Sequence, residues 1–359
     1  MLENIKEKLS SGERLNKSEA IQLFNSDDIF ELGMLAANMT ARYNGSRVYF
    51  ILNRHINPTN ICINRCKFCA FSRSKGQEGS YELTIDEIID KLYDATSDRK
   101  YPLREVHIVG GLHPDWQFEY YLDMLSKIKQ SFPVIAIKAF TAVEIDYMSK
   151  ISRLSINETL LSLKKSGLDI MPGGGAEIFS KKIRDKLCPE KIDGERWLEI
   201  MEIAHNIGIK TNASMLYGHI ESIEDRVDHL FKLRDLQDRT RGFQAFIPLA
   251  YHPKNTEIGG FYSSGIDDLK TIAVSRLILD NFTHIKAYWI MLGEKTSQVA
   301  LLFGADDIDG TIIEEKITSS AGGMSGQAMK REDLIYLIKK AGKMPVERDA
   351  FYNVIEEIN

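Results

Sequence analysis

Apolar positions recur at helical spacing through residues 1 to about 45, with Ser18 and Asp27 placed as caps before the apolar-periodic runs. At Val48 the pattern changes to short β-branched or aromatic runs alternating with longer amphipathic stretches. Predicted strands are VYFIL from Val48, REVHIVG from Arg104, PVIAIKAF from Pro133, GLDI from Gly167, GIKTNASML from Gly208, GFQAFIPL from Gly242 and HIKAYWIML from His284. Predicted helices lie between them, near 84–97, 118–131, 155–166, 193–207, 222–238 and 266–280. Strands alternating with helices favour a parallel sheet, and about seven or eight such units favour a TIM-like (β/α) barrel of class α/β. A doubly wound open sheet is the competing architecture. The expected division is a helical N-terminal segment over 1–45, a barrel over 46–303 and a C-terminal extension packed on it over 304–359.

Polar and glycine-rich stretches follow the strands: NRHINPTN, GGLHPD, TAVE, PGGGAE, YGHIES and AYHPKN, in chain order. In a (β/α) barrel these positions share the C-terminal rim, where active sites sit. Composition narrows the partners. With 46 basic and 51 acidic residues the formal charge is −5, which gives no general attraction to nucleic acid or anionic membrane. No run approaches the roughly 18 apolar residues of a membrane span, and MLENIKEKLSSGERLN lacks the apolar core of a secretory signal, so a cytoplasmic location is expected.

Three of the four cysteines, Cys62, Cys66 and Cys69, fall within eight residues in the spacing C-x₃-C-x₂-C. In a reducing compartment such a cluster points to metal or redox chemistry, not to a disulfide framework. Three thiolates suit a [4Fe–4S] cluster with one iron left open. The alternative is a structural zinc on the same three thiolates and His55, in a binding scaffold without catalysis. Cys188, in KLCPEK, reads as a buried or incidental thiol.

The pattern C-x₃-C-x-aromatic-C, with Phe68 before Cys69, resembles the radical S-adenosylmethionine (SAM) superfamily. The resemblance implies that Cys62, Cys66 and Cys69 hold the cluster, that Phe68 packs near the adenine, and that the open iron takes the amino and carboxylate groups of SAM. It places Gly110 and Gly111 at the methionine amino group, where Leu112 replaces the acidic residue common in the family and leaves only backbone carbonyls to serve. Two glycines after a strand also suit a tight turn. Glu177, and in second place Glu144, would accept the ribose hydroxyls; a carboxylate at a helix N-terminus is the other reading of Glu177. Arg184 would face the SAM carboxylate unless it is an ordinary solvated arginine, and the Met215–Tyr217 stretch would support adenine.

Several stretches together, among them HIVGGLHPD, PGGGAEIF, MLYGHIES, QAFIPLAYHP and IKAYWIMLGEKTSQVALLFGADDIDGT, resemble the aminodeoxyfutalosine synthase group of the futalosine route to menaquinone, from about residue 45 to about 325. That implies a transferase that consumes SAM as a cosubstrate and adds the 5′-deoxyadenosyl radical to 3-[(1-carboxyvinyl)oxy]benzoate, with loss of a carboxylate. A low-potential electron donor protein such as flavodoxin or ferredoxin is implied with it. The small-molecule substrate, a dicarboxylate aryl enol ether, needs hydrogen-bond donors or cations, for which Arg54, His55, Asn57, His252, Asn255 and Lys286 lie near the rim. His252 leads for an acid–base role, with Arg54 and His55 beside it. The sister group, of dehypoxanthine futalosine cyclase or F0 synthase type, shares these motifs and begins by hydrogen abstraction.

Overall fold

A computed structural model describes residues 2–96, 100–323, 325–326 and 328–359. Its strands are β1 (Arg47–Ile51), β2 (Asn53–Ile56), β3 (Glu105–Ile108), β4 (Ala136–Ala139), β5 (Ile170–Met171), β6 (Lys210–Tyr217), β7 (Phe243–Ala250), β8 (His284–Ile285), β9 (Asp307–Gly310), β10 (Met344–Arg348) and β11 (Val354–Glu357). Strands β2 to β8 form one seven-stranded parallel sheet whose spatial order is the chain order. A doubly wound sheet reverses direction at a switch point, so this order excludes the competing architecture. The predicted first strand, VYFIL, is β1 and lies in a second sheet; the barrel's first strand is β2, within the NRHINPTN stretch expected to follow the strand.

The helices between strands begin where local chemistry starts them. Thr84 with Glu87, Thr141 with Glu144, Ser155 with Glu158 and Ser222 with Asp225 form reciprocal capping boxes. The predicted helix near 84–97 is Ile85–Ala95, and Ser97 lies outside the described residues. A helix at Ala142–Ser152 was not foreseen, and it turns TAVE from a strand end into a helix start. In the N-terminal segment the caps are Asn16 and Asp28, one or two residues from the expected Ser18 and Asp27. The helices they begin, Lys17–Phe24 and Ile29–Asn44, pack on the barrel helix Gly265–Ile278.

Residues after 304 do more than cover the barrel. Between β8 and β2 the sheet has a seam, and the segment 307–313 runs along it. Lys286 bridges to Asp307 and Arg54 to Ile313, both parallel. The Ala287 N–H donates to the Asp307 carbonyl at 2.8 Å and the His55 N–H to the Ile313 carbonyl at 3.1 Å. A second sheet, ordered β11-β10-β1-β9, ties the same segment to the start of the barrel. Paired charges fill the lower interior: Lys138 with Glu105 at 2.6 Å, Lys286 with Asp309 at 3.3 Å and Arg348 with Asp307 at 2.8 Å. Each ion there has a partner, as burial requires.

Candidate active site

A cavity of about 320 Å³ opens inside the C-terminal rim. Cys62, Cys66 and Cys69 line one wall. Their loop is pinned from both sides. The Cys62 N–H donates to Arg73 O at 3.0 Å, Ile63 N–H to Leu112 O at 3.0 Å and Lys67 N–H to Leu187 O at 2.8 Å. The Arg65 N–H donates to the Glu190 carboxylate at 2.6 Å. Burial pushes the Cys66 thiol up to about 12 and raises Cys62 as well, against the opposing field of the nearby Lys191.

Among the described residues no three His, Cys, Asp or Glu side chains converge on a point that would hold a single metal ion. The proposed zinc partner, His55, belongs to a different cluster: its ring lies 4.5 Å from that of His107 on β3. Three thiols spread along one cavity wall, pinned by backbone bonds and with no fourth thiol lining it, fit a multi-iron cluster with one open iron. Cys188 is 1% exposed and does not line the cavity.

Gly110 and Gly111 do line it, and the second is required by packing. A Cβ on Gly111 would stand 2.2 Å from Ile61 O and 3.0 Å from Cys62 Cβ. Its N–H donates to Thr59 O at 2.9 Å, so this turn presses directly on the cysteine loop. The Gly110 N–H donates to Glu144 at 3.2 Å. Glu144 also accepts from the Thr141 N–H at 2.7 Å and hydroxyl at 2.8 Å. Burial nevertheless raises its pKa to about 7, outweighing those bonds.

The PGGGAE stretch wraps the opposite side. Gly173 lets the loop touch the β6 backbone, since its Cβ would meet Ala213 C at 2.6 Å. Glu177 sits at φ +48 in the cavity wall and accepts from Lys191 Nζ at 2.6 Å. Lys191 also lies 5.0 Å above the Phe68 ring. Burial opposes its charge, but Cys66, Glu177 and Cys188 hold its pKa well above the usual value. Lys191 is the one lysine or arginine among the described cavity-lining residues. The sequence reading missed it.

Four expected site residues point elsewhere. Arg184 is 3% exposed and faces away from the cavity. Its guanidinium donates to Ala176 O at 2.6 Å and Ile178 O at 3.2 Å, and to Ile192 O, bracing the PGGGAE loop from behind. Met215 and Tyr217 lie on the outer face of β6. The Tyr217 hydroxyl donates to Asp268 at 2.8 Å, while Ser214 and Leu216 line the cavity. Side chains alternate along a strand, so the inward pair is one residue out of step with the expected one. Arg54 faces outward for the same reason, donating to Glu314 at 2.7 Å and to Lys91 O at 2.7 Å.

His55 and His252 do line the cavity. Burial lowers His55 to about 4, so it is neutral near pH 7, and its Nε2 has no partner. His252 Nε2 lies 2.9 Å from the Met291 carbonyl, which assigns its proton there and leaves the buried Nδ1 free to accept. His107, Tyr288, Asp309 and Glu315 complete this end and were not foreseen. Asn57 lines it with an unpartnered Oδ1. Of the other two substrate candidates, Lys286 sits below the cavity on Asp309, and Asn255 is an exposed loop residue bonded to Ser320 O.

The sequence matches the radical SAM superfamily over residues 56–233 and the CofH/MqnC C-terminal region over residues 240–359. It is 44% identical to the aminodeoxyfutalosine synthase of Thermus thermophilus, over 98% of this chain and 95% of that one. It is 40% identical to the 5-amino-6-(D-ribitylamino)uracil–L-tyrosine 4-hydroxyphenyl transferase of Methanococcoides burtonii, over 98% of this chain and 99% of that one. The fold is that of the methylornithine synthase PylB, with a TM-score of 0.76 at 18% identity, covering 94% of this chain and 96% of that one. Among the described residues no helix is long and apolar enough to cross a membrane.

Proposed function

The chain belongs to the radical SAM superfamily, and from that premise we propose that it is an aminodeoxyfutalosine synthase, acting on 3-[(1-carboxyvinyl)oxy]benzoate and SAM in menaquinone biosynthesis. The observation that carries the proposal is the end-to-end likeness to the Thermus synthase. Cys62, Cys66 and Cys69 would hold a [4Fe–4S] cluster, reduced by a flavodoxin or ferredoxin. That cluster, when bound, supplies the electron that cleaves SAM to methionine and a 5′-deoxyadenosyl radical.

The chain's own residues then bind and orient. Glu177, already in the cavity wall, accepts the ribose hydroxyls of SAM, and Phe68 packs by the adenine. Gly110 and Gly111 admit the methionine end, and Glu144 stands behind Gly110. Leu216 and Ser214, rather than Met215 and Tyr217, form the inward face of β6 against the adenosyl group. At the far end, the unpartnered His55 Nε2 is a group for a substrate carboxylate to satisfy, while Asn57 Oδ1 and His252 Nδ1 accept from a donor such as water. A neutral imidazole such as His55 donates a hydrogen bond to a carboxylate without adding charge. The largely apolar wall limits the water that can approach the radical.

A second reading has its own support. The hydroxyphenyl transferase of Methanococcoides matches the same span nearly as well, and the matched C-terminal region carries the name of that group. Asp309 and Glu315, both cavity-lining carboxylates, would suit an amino-acid ammonium. The two readings part at the fate of the adenosyl carbon. With SAM, a low-potential reductant and the vinyl ether, label at C5′ is expected in a larger product that retains adenine, with one carboxylate released per turnover. Label emerging as free 5′-deoxyadenosine in proportion to substrate consumed, or turnover only with tyrosine and the aminouracil, would move the chain to the transferase group.

A further inference from the structure

Lys191 has no assigned role, yet it occupies an unusual electrostatic position. The turn that carries it is stitched to the cysteine loop on both sides of Cys66. Leu187 O takes the Lys67 N–H at 2.8 Å, and Glu190 takes the Arg65 N–H at 2.6 Å. From there Lys191 reaches back over the Phe68 ring at 5.0 Å and meets Glu177 at 2.6 Å. Its side chain is 15% exposed and Glu177's 10%, so the pair sits away from bulk water. The loop's own cations differ in this respect: Lys67 is 44% exposed and pairs with Glu257 at 3.2 Å, and Arg65 is also exposed. Water and salt screen such surface charges, whereas a charge in the wall of a cavity acts through a lower effective dielectric.

We propose that the Lys191–Glu177 pair sets the electrostatic potential at the three-cysteine loop and thereby poises the reduction potential of the iron–sulfur cluster held there. The inference rests on the cluster reading above. An iron–sulfur potential follows net charge, hydrogen bonding and exposure around the cluster. A nearby cation favours the reduced, more negative form, and a nearby carboxylate disfavours it. In the paired state the two charges largely cancel. Whatever engages Glu177 from the cavity side therefore changes how much of the Lys191 field the loop feels. Lys191 acts here through the cluster's surroundings and is a positioning residue, not a catalytic one.

The test is a reductive titration of anaerobically reconstituted protein, with dithionite and mediator dyes, followed by electron paramagnetic resonance without SAM. Lys191→Met should lower the midpoint, shifting the reduced-to-oxidised ratio at fixed potential at least tenfold, which is about 59 mV for one electron. Glu177→Gln should raise it, Lys191→Arg should keep it near the parent, and the Lys191→Met/Glu177→Gln double variant should return toward the parent. Lys67→Met, the exposed control, should move it little. Opposite shifts that cancel in the double variant are not produced by simple loss of structure. Full iron loading with all midpoints unchanged, or both single variants shifting the same way, overturns the proposal. A parent protein that takes up no cluster overturns the cluster reading instead.

Discussion

Gly111→Ala tests how tightly the second barrel loop and the cysteine loop are interlocked. The added Cβ would lie 2.2 Å from Ile61 O and 2.7 Å from Ile61 C. An acceptable carbon–oxygen contact is about 3.3 Å, so one backbone must retreat by roughly 1 Å. Neither contacting atom is the tip of a flexible side chain. Overpacking of this kind costs about 1–3 kcal/mol. A 1 Å retreat also breaks the bonds from Gly111 N–H to Thr59 O and from Ile63 N–H to Leu112 O, now 2.9 and 3.0 Å. At about 0.5–1.5 kcal/mol each, they bring the total to about 2–6 kcal/mol. That is a large part of the roughly 5–15 kcal/mol that holds a domain folded. Gly110→Ala is the internal control, since its Cβ would meet Thr59 O at 3.1 Å and needs only a few tenths of an ångström. Urea unfolding of the iron-free protein should show a midpoint lower by about 1 M or more for Gly111→Ala and a small change for Gly110→Ala. Iron per chain after anaerobic reconstitution should fall with the first and not the second. Equal midpoints and equal iron for the two variants would refute the interlock.

Other expectations follow from the same geometry. Glu144 has its pKa raised to about 7 by burial, so between the ordinary value near 4.5 and 7 the folded state holds a proton that the unfolded state has lost. Stability should fall across that window as pH rises, by up to about 3 kcal/mol, and Glu144→Gln should flatten the dependence in urea midpoints measured from pH 4.5 to 8. Arg184→Met strands the buried carbonyls of Ala176 and Ile178 and the part-buried one of Ile192, and should cost about 3 kcal/mol by the same unfolding measurement. Leu216→Trp should weaken SAM binding in calorimetry at unchanged fold, whereas Tyr217→Phe should cost about 1–2 kcal/mol of stability and leave SAM affinity intact. Cys188→Ser should reconstitute a full complement of iron, and each of the Cys62, Cys66 and Cys69 alanine variants should not.

The alternation of strand and helix was legible because each helix carries one apolar stripe and a readable start. Even the unforeseen helix at Ala142–Ser152 announces itself as Thr141-x-x-Glu144, the capping-box spacing, once PVIAIKAF is allowed to end sooner. Facing within a strand was not legible. Strands covered on both sides are apolar on both faces, so nothing in MLY separates inward Leu216 from outward Met215 and Tyr217. The same parity placed Arg54 outside and His55 inside. Lys191 lay two residues from a proline in a polar turn, with no periodicity to mark it. Strand β9 reads DIDG, too acidic to resemble a strand, because Lys286 and Arg348 neutralise it from distant parts of the chain.

The seam along 307–313 also sets an order of events when the chain is made. Tyr49 pairs with Asp307 and Arg47 with Met344, separations of 307 − 49 = 258 and 344 − 47 = 297 positions. Contacts so far apart close late, since the intervening loop's entropy is lost before any pairing rewards it. At about 5–20 residues per second of synthesis, β1 waits roughly 13–50 s for its first partner. Through that interval the growing sheet is an open trough with a bare edge at β2, joined by one at β8 only for the last 307 − 285 = 22 positions, and is exposed to pairing with a neighbouring chain. The cysteine loop is by then complete, before the cavity-lining residues Asp309, Glu315 and Ile317 are made. Iron delivered to the newly made chain meets a cavity that still lacks that wall, and iron delivered after release meets the finished one.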